Sequence, residues 1–219
     1  MLKIQNKNYV GLACAALLAA CGGGGSSSPP APVTSFAVAG VVSSLTNKGA
    51  SFSGNRTDAE GNQFKLNVTY APQTVGGYSR QETLVTNGLA GAPALASFNF
   101  TETAGQLTVT GWKNAQGVAG ALFASTPLPA MASVGTNGKW FTATLSAPSQ
   151  ETLLLDASWT LEALSESTAE LCLRLGYVSG LTVFSDSDCF KLDARGNVTG
   201  FSAIKDFRKS TFSSQLIYQ

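Results

Sequence analysis

The residues best suited to chemistry are carboxylates at short spacing. Asp186 and Asp188 flank Ser187, and in an extended chain they would lie roughly 7 Å apart, within the range of about 5 to 9.5 Å that glycoside hydrolysis requires. Asp156 and Glu162 would share a strand face about 20 Å apart, which excludes them as a pair. Asp186-Ser187-Asp188 also begins like a calcium loop, but the third acid, the central glycine and the closing glutamate are missing. We interpret residues 186–188 as a solvated polar loop leading to Cys189.

The sequence excludes the commonest catalytic arrangements. It contains no histidine, which rules out Ser-His and Cys-His nucleophile pairs and the common zinc sites. It contains no G-x-S-x-G elbow and no phosphate-binding glycine loop with its lysine. Ser202 and Lys205 fit S-x-x-K, but that pattern works on a helix, and in a strand the two residues face opposite sides. We predict a protein that is not an enzyme, with no catalytic, cofactor-binding or metal-binding residue.

The amino-terminal segment has the features of an export signal. Residues 1–8 carry Lys3 and Lys7 and no acid, and residues 9–20 form an uncharged apolar run. A membrane-spanning helix needs about 20 apolar residues, so this run is too short to remain as one. Small residues precede Cys21, as a signal peptidase requires. An ordinary secretory signal, cut at another small residue, is the alternative.

Leu18-Ala19-Ala20-Cys21 resembles the lipobox of bacterial lipoproteins. In that family the signal is cut before the cysteine, which is then acylated on its sulfur and on its new amino group. The resemblance implies that residues 1–20 are removed, that Cys21 is the lipidation site and that the membrane is a partner through this anchor. Because Gly22, and not an acidic residue, follows the cysteine, the resemblance further implies the outer membrane, with the leaflet left open.

The remainder of the chain divides into a tether and one domain. Residues 21–33 comprise the acylated cysteine and a Gly/Ser/Pro-rich stretch, which cannot form a packed core. Residues 34–219 have the length of a single all-β domain. Loss of Lys3 and Lys7 changes the formal net charge from +1 to −1, which leaves no basic field for nucleic acid. The small basic cluster of Lys205, Arg208 and Lys209 is interpreted as a solvated strand or loop.

Two cysteines remain in the folded domain of such a lipoprotein. Cys14 lies in the signal and Cys21 is the acylation site, so Cys172 and Cys189 are left as a pair. The compartment that the lipobox implies oxidises thiols, and we therefore expect a disulfide between them. Closing this loop would stabilise the fold by about 3 kcal/mol. A two-cysteine metal site is the alternative, but it would need further ligands and the chain has no histidine.

Alternation of apolar and polar residues predicts antiparallel strands. It is clearest in residues 64–70, 96–101, 153–162 and 170–177. No long segment shows a convincing helical period. Asp58–Asn62 and Asp193–Asn197 have nearly the same sequence, with an Asp that can bond the backbone ahead and a glycine three residues later for a left-handed turn. Asn114–Gly117 is a third such turn, and Asn137-Gly138 predicts a two-residue hairpin.

These elements predict an all-β fold of about ten to twelve strands. An antiparallel meander of this size forms either a barrel or a two-sheet sandwich, and the many consecutive hairpins favour the barrel. The three tryptophans, Trp112, Trp140 and Trp159, are expected in the core, although Trp112 and Trp140 could lie near a barrel mouth.

The sequence favours a non-catalytic binding or interaction module, whose partner is a small ligand or an envelope protein. The lipobox, tether and β-rich domain together resemble substrate-capturing surface lipoproteins, including the barrel lobes of transferrin-binding proteins, and Gly117–Phe123 resembles their strands. A structural or assembly component of the envelope and a carboxylate-dependent hydrolase are the alternatives.

Overall fold

Antiparallel strands make up most of the chain. The computed structural model describes residues 32–114, 116–145, 153–179, 182–209 and 212–219, so the signal, Cys21 and the start of the tether lie outside the described residues. One helix and fifteen strands lie within them: β1 (Ser35–Phe36), α1 (Val38–Lys48), β2 (Ala50–Thr57), β3 (Gln63–Pro72), β4 (Gly77–Thr86), β5 (Leu89–Ala90), β6 (Ala94–Thr103), β7 (Gln106–Lys113), β8 (Ala121–Ser125), β9 (Ala132–Ser133), β10 (Thr136–Leu145), β11 (Leu153–Ala163), β12 (Ala169–Ser179), β13 (Thr182–Leu192), β14 (Val198–Lys209) and β15 (Phe212–Tyr218).

The strands form two large sheets, and each sheet takes its strands from one continuous stretch of chain. The first sheet has the order β2-β3-β4-β6-β7, with β5 paired to β4. The second has the order β15-β14-β13-β12-β11-β10-β8, and β1 pairs with β9 separately. Within the described residues the sheets do not form a closed barrel. Of the two predicted architectures, the antiparallel two-sheet sandwich is therefore the one that the structure adopts.

The core lies between the inner faces of the two sheets. Alternate residues of β11 are buried, among them Leu155, Trp159 and Leu161, because successive side chains of a strand point to opposite faces. Phe52 of the first sheet stacks on Phe201 of the second, with ring centroids 4.8 Å apart. At one edge the backbone N–H of Asn55 donates to the Gln219 carbonyl oxygen at 2.8 Å.

The one helix of the described residues, α1, packs against β3, β4 and β7, and the sequence pattern did not predict it. Four of its five buried residues, Val38, Val41, Val42 and Leu45, follow the helical i, i+3, i+4, i+7 spacing. Valine and serine are weak helix formers, and no side chain caps the amino terminus at Ala37. Packing of the apolar face against the sandwich therefore stabilises this helix. No helix among the described residues is long and apolar enough to cross a membrane.

The predicted Asp turns are confirmed. Asp58 Oδ1 accepts hydrogen bonds from the backbone N–H groups of Glu60 and Asn62 at 3.1 and 2.8 Å, and Gly61 has a φ of 82°. The turns at Asp193 and Asn114 repeat this arrangement, with positive φ at Gly196 and Gly117.

The predicted hairpin at Asn137-Gly138 is wrong. Both residues lie inside β10, where Asn137 pairs with Thr160 and Gly138 with Trp159 of β11. A Cβ atom at Gly138 would lie 2.8 Å from Trp159 Nε1, so this glycine makes room for an indole. The chain reverses earlier, at Gly135, whose φ is 80°.

Candidate functional site

Five charged side chains meet in the space between the two sheets. Arg80 and Glu82 come from β4 of the first sheet, whereas Asp186 and Asp188 of β13 and Lys205 of β14 come from the second. Spacing of two along β4 and β13 places each pair on one strand face. The register sets Asp186 directly beside Lys205.

Asp188 is the most enclosed acid of this cluster and is fully bonded. Arg80 Nε donates to Asp188 Oδ2 at 2.5 Å and Nη2 donates to Oδ1 at 2.8 Å, in a bidentate pair that joins the two sheets. The Tyr70 hydroxyl also donates to Oδ2. Burial by itself raises the pKa of Asp188, but the Arg80 guanidinium and these hydrogen bonds outweigh it and hold the pKa below its ordinary value. Asp188 is therefore a buried carboxylate.

Two further acids share the second cation. Glu82 Oε2 lies 3.0 Å from Arg80 Nη2, and Glu82 Oε1 lies 2.6 Å from Lys205 Nζ. Lys205 Nζ also donates to Asp186 Oδ1 at 2.9 Å. Burial lowers the pKa of Lys205, but the neighbouring Asp186 and Glu82 carboxylates outweigh it and raise the pKa above its ordinary value. Lys205 is therefore a cation held between two acids.

Asp186 and Lys205 form the polar floor of a cleft of about 360 Å³. Apolar side chains dominate the walls, which are formed by Phe184, Phe207 and Leu216 with Ser214 and Asp206. The Phe184 ring stacks on Tyr177, with centroids 4.7 Å apart. Burial raises the pKa of Asp186 above its ordinary value, and Lys205 opposes that shift. The cleft thus combines an apolar wall with an ion pair that solvent still reaches.

The cleft lies at the end of the sandwich away from α1. Pro72, at the end of β3, lies near Gly49, which ends the helix, and Gly196, in the turn after β13, lies near Ala37, which precedes it. Along β13 and β14, the cross-strand pair Phe184–Phe207 lies farther from the α1 end of the sandwich than the pair Asp186–Lys205 does. Apolar side chains on the inner faces are more open here: Leu84 is 37% exposed and Phe207 is 40% exposed.

The structure overturns the interpretation of residues 186–188 as a solvated loop. They lie within β13, and both carboxylates point to its inner face. The signal that could have revealed this is the run Phe184, Asp186, Asp188, Phe190, in which acids alternate with serines between two aromatic residues. The other candidate acids lie elsewhere: Asp156 pairs with Lys139 on the surface, at 3.5 Å, and Glu162 is exposed.

The sequence prediction for Ser202 and Lys205 is confirmed, whereas that for the basic cluster is wrong at Lys205. Ser202 lies on the outer face, 3.5 Å from Glu170 Oε1, and Lys205 points inward to Glu82 and Asp186. Lys205 is therefore part of the inner charged cluster and not of a solvated basic patch. The structure does not describe the side chains of Arg208 and Lys209.

Three site residues were missed from the sequence: Tyr70, Arg80 and Glu82. The signal for them was present in β4, where Tyr78, Arg80, Glu82 and Leu84 occupy alternate positions. A charge on the apolar face of an alternating strand indicates a buried ion pair, because an unpaired charge is too costly to bury.

The tryptophans belong to the core, as predicted. Trp112, Trp140 and Trp159 are all buried, and Trp140 stacks on Phe100. None of the three lines the cleft beside Asp186.

Cys172 and Cys189 pair directly across β12 and β13, and their sulfur atoms lie at disulfide distance, 2.07 Å apart. Glu170 approaches them, so that the three residues offer ligand atoms within 4.8 Å of one another. Sulfurs that are bonded to each other cannot also serve as thiolate ligands, and the arrangement therefore fits the disulfide and not the metal site.

Comparison with known proteins found no matching family model, no similar curated protein and no similar solved structure. The function must therefore be argued from the site itself.

Proposed function

We propose that this chain is a lipid-anchored binding module of the bacterial outer membrane that captures a small amphiphilic ligand in the cleft and catalyses no reaction. The lipobox-like Leu18-Ala19-Ala20-Cys21 sequence supports the anchor. The Cys172–Cys189 pair at disulfide distance supports a compartment that oxidises thiols.

The cleft carries the proposal. It is concave, with mainly apolar walls and a few polar groups at the floor, which is the usual construction of small-ligand sites. Its volume of about 360 Å³ lies at the lower end of the range for such pockets, roughly 300 to 1,000 Å³. An apolar body fits against Phe184 and Leu216, while a polar group reaches the Asp186–Lys205 pair.

A carboxylate-dependent hydrolase is the second candidate. The observation that favours it is that Glu82 and Asp186, from different sheets, both contact the Lys205 ammonium and so lie close together. The same ammonium occupies the space between them, which suits a fixed ion-pair network better than an acid and a nucleophile that share a substrate. Turnover of glycoside or ester probes that is lost in Asp186→Asn would favour this candidate over simple binding.

The anchor is tested by fractionation. Cys21→Ala should release unlipidated, soluble protein, because the acyl chains provide the membrane affinity. A variant that still fractionates with membranes would contradict the anchor.

Ligand capture is tested by thermal unfolding with three small amphiphiles, 1-octanol, octylamine and octanoate, kept below micelle-forming concentrations. A ligand that binds only the folded state stabilises it by about 2.7 kcal/mol at 100 times its Kd, so at least one probe should raise Tm. Ser214→Trp places an indole in the cleft and should abolish the increase. Gln215→Trp, at the next, exposed position of β15, is the matched control and should retain it. If none of the probes stabilises the wild type more than Ser214→Trp, ligand capture is contradicted.

A further inference from the structure

The charged cluster is an alternating row that ends at the cleft. Its order is Asp188, Arg80, Glu82, Lys205 and Asp186, with each cation placed between two acids. At the buried end Asp188 is completed by Arg80 and Tyr70. The other end of the row is a carboxylate that solvent reaches.

One carboxylate oxygen of Asp186 accepts no hydrogen bond from the part of the chain that the structure describes. Its Oδ1 accepts from Lys205 Nζ at 2.9 Å, but no described residue donates to Oδ2. The Asp186 side chain is 25% exposed and lines the cleft. As far as the described residues go, Oδ2 is therefore open to a donor from solvent or from a molecule in the cleft.

Charge balance favours a cation at this position. The row contains three acids and two bases, so one carboxylate charge is in excess. Lys205, the base among the described lining residues, is already shared by Glu82 and Asp186. An anion would meet this excess negative charge at short range, whereas a cation would extend the alternation by one member.

We propose that the polar group of the ligand is a protonated amine that donates to Asp186 Oδ2, on an apolar body that packs against Phe184, Phe207 and Leu216. This inference rests on the proposed function, because it assumes that the cleft takes a small ligand. The Phe184 and Phe207 rings add to the selection, since aromatic faces attract organic cations.

The test compares octylamine, 1-octanol and octanoate, which share one alkyl chain and differ in charge. Isothermal titration of the protein lacking residues 1–20 at neutral pH should give octylamine the highest affinity, about tenfold or more above 1-octanol, since a hydrogen bond to a charged group is worth about this factor. Octanoate should bind more weakly than 1-octanol.

Asp186→Asn removes the charge and keeps the shape of the side chain. It should lower the affinity for octylamine at least about tenfold and leave that for 1-octanol within about twofold. Asp156→Asn, the same change at the surface acid beside Lys139, should alter neither affinity. Circular dichroism and Tm of the unliganded variants verify that both have folded.

The outcomes separate this inference from the proposed function. If 1-octanol binds as tightly as octylamine, or if Asp186→Asn weakens both equally, the amine is contradicted while ligand capture stands. Tighter binding of octanoate would contradict the charge argument in the same way. If none of the three probes binds, the proposed function fails, and the amine with it.

Discussion

Replacement of Arg80 by methionine should destabilise the protein by about 3–5 kcal/mol. Arg80 is 7% exposed and Asp188 is 6% exposed, so loss of the guanidinium leaves Asp188 buried without its two charged hydrogen bonds. Breaking a buried ion pair from one side costs this much because the remaining charge loses its compensation. Since domains unfold at a cost of about 5–15 kcal/mol, the loss is a large share of the total.

Urea unfolding of the protein lacking residues 1–20, followed by the fluorescence of its buried tryptophans, measures this cost. Arg195→Met, at an exposed turn position, is the matched control and should change the free energy of unfolding by less than about 0.5 kcal/mol. The double variant Arg80→Met, Asp188→Leu should recover most of the loss, because the buried Asp188 carboxylate that lost its partner is removed as well, while Glu82 keeps its contact with Lys205. A cost below about 1 kcal/mol for Arg80→Met, or no recovery in the double variant, would refute the argument that charge compensation holds the sheets together.

Three further outcomes follow from the geometry. Carboxyl NMR titration should show Asp186 with a pKa above and Asp188 with a pKa below the ordinary value of 3.8. The stability contributed by Asp188 is therefore present at neutral pH and lost as the pH falls below about 4, whereas ionisation of Asp186 lowers stability as the pH rises. Similar pKa values for both acids would contradict the burial and pairing described. Non-reducing peptide mapping should join Cys172 to Cys189, and Cys172→Ser with Cys189→Ser should cost about 3 kcal/mol in urea unfolding; two free thiols in protein isolated from the envelope would rule out the bond. Gly77→Ala should lower the free energy of unfolding by at least about 2 kcal/mol, because the φ of Gly77 is 151° and a Cβ would lie 2.0 Å from the Phe98 carbonyl oxygen. Gly61→Ala, with positive φ but open space, should lower it by only about 1 kcal/mol. Equal losses would mean that the backbone yields at Gly77.

Local sequence chemistry predicted the turns and most of the strands. The Asp58 and Asp193 turns depend on one side chain and one glycine within five residues, so the short sequence contains all the information they need. Asn137-Gly138 failed because a distant residue decided it: the indole of Trp159 requires a small partner inside β10. The helix α1 was missed because its residues are weak helix formers, and tertiary packing stabilises it.

The site was only partly predictable for the same reason. Asp186 and Asp188 were recognised as a candidate pair, but their polarity suggested a loop. Arg80, the partner of Asp188, lies 108 residues away from it, and no local pattern indicates which strands will face each other. Acids can occupy the inner face of β13 only because the facing sheet supplies Arg80 as a partner, and that requires the whole sandwich to be known.

The division of the sheets along the chain has a consequence for assembly. Strands β2–β7 build one sheet, and β8 and β10–β15 build the other, so the polypeptide passes from one large sheet to the other once, after Lys113. Cleavage in that connection would leave two meanders with intact hairpins, one carrying Arg80 and Glu82 and the other Asp186, Asp188 and Lys205. Separated, each fragment would keep one internal ion pair, Arg80–Glu82 or Lys205–Asp186, but would lose the pairs Arg80–Asp188 and Lys205–Glu82 that join the sheets. These ion pairs between the sheets would then favour correct association of the two fragments into one folded protein.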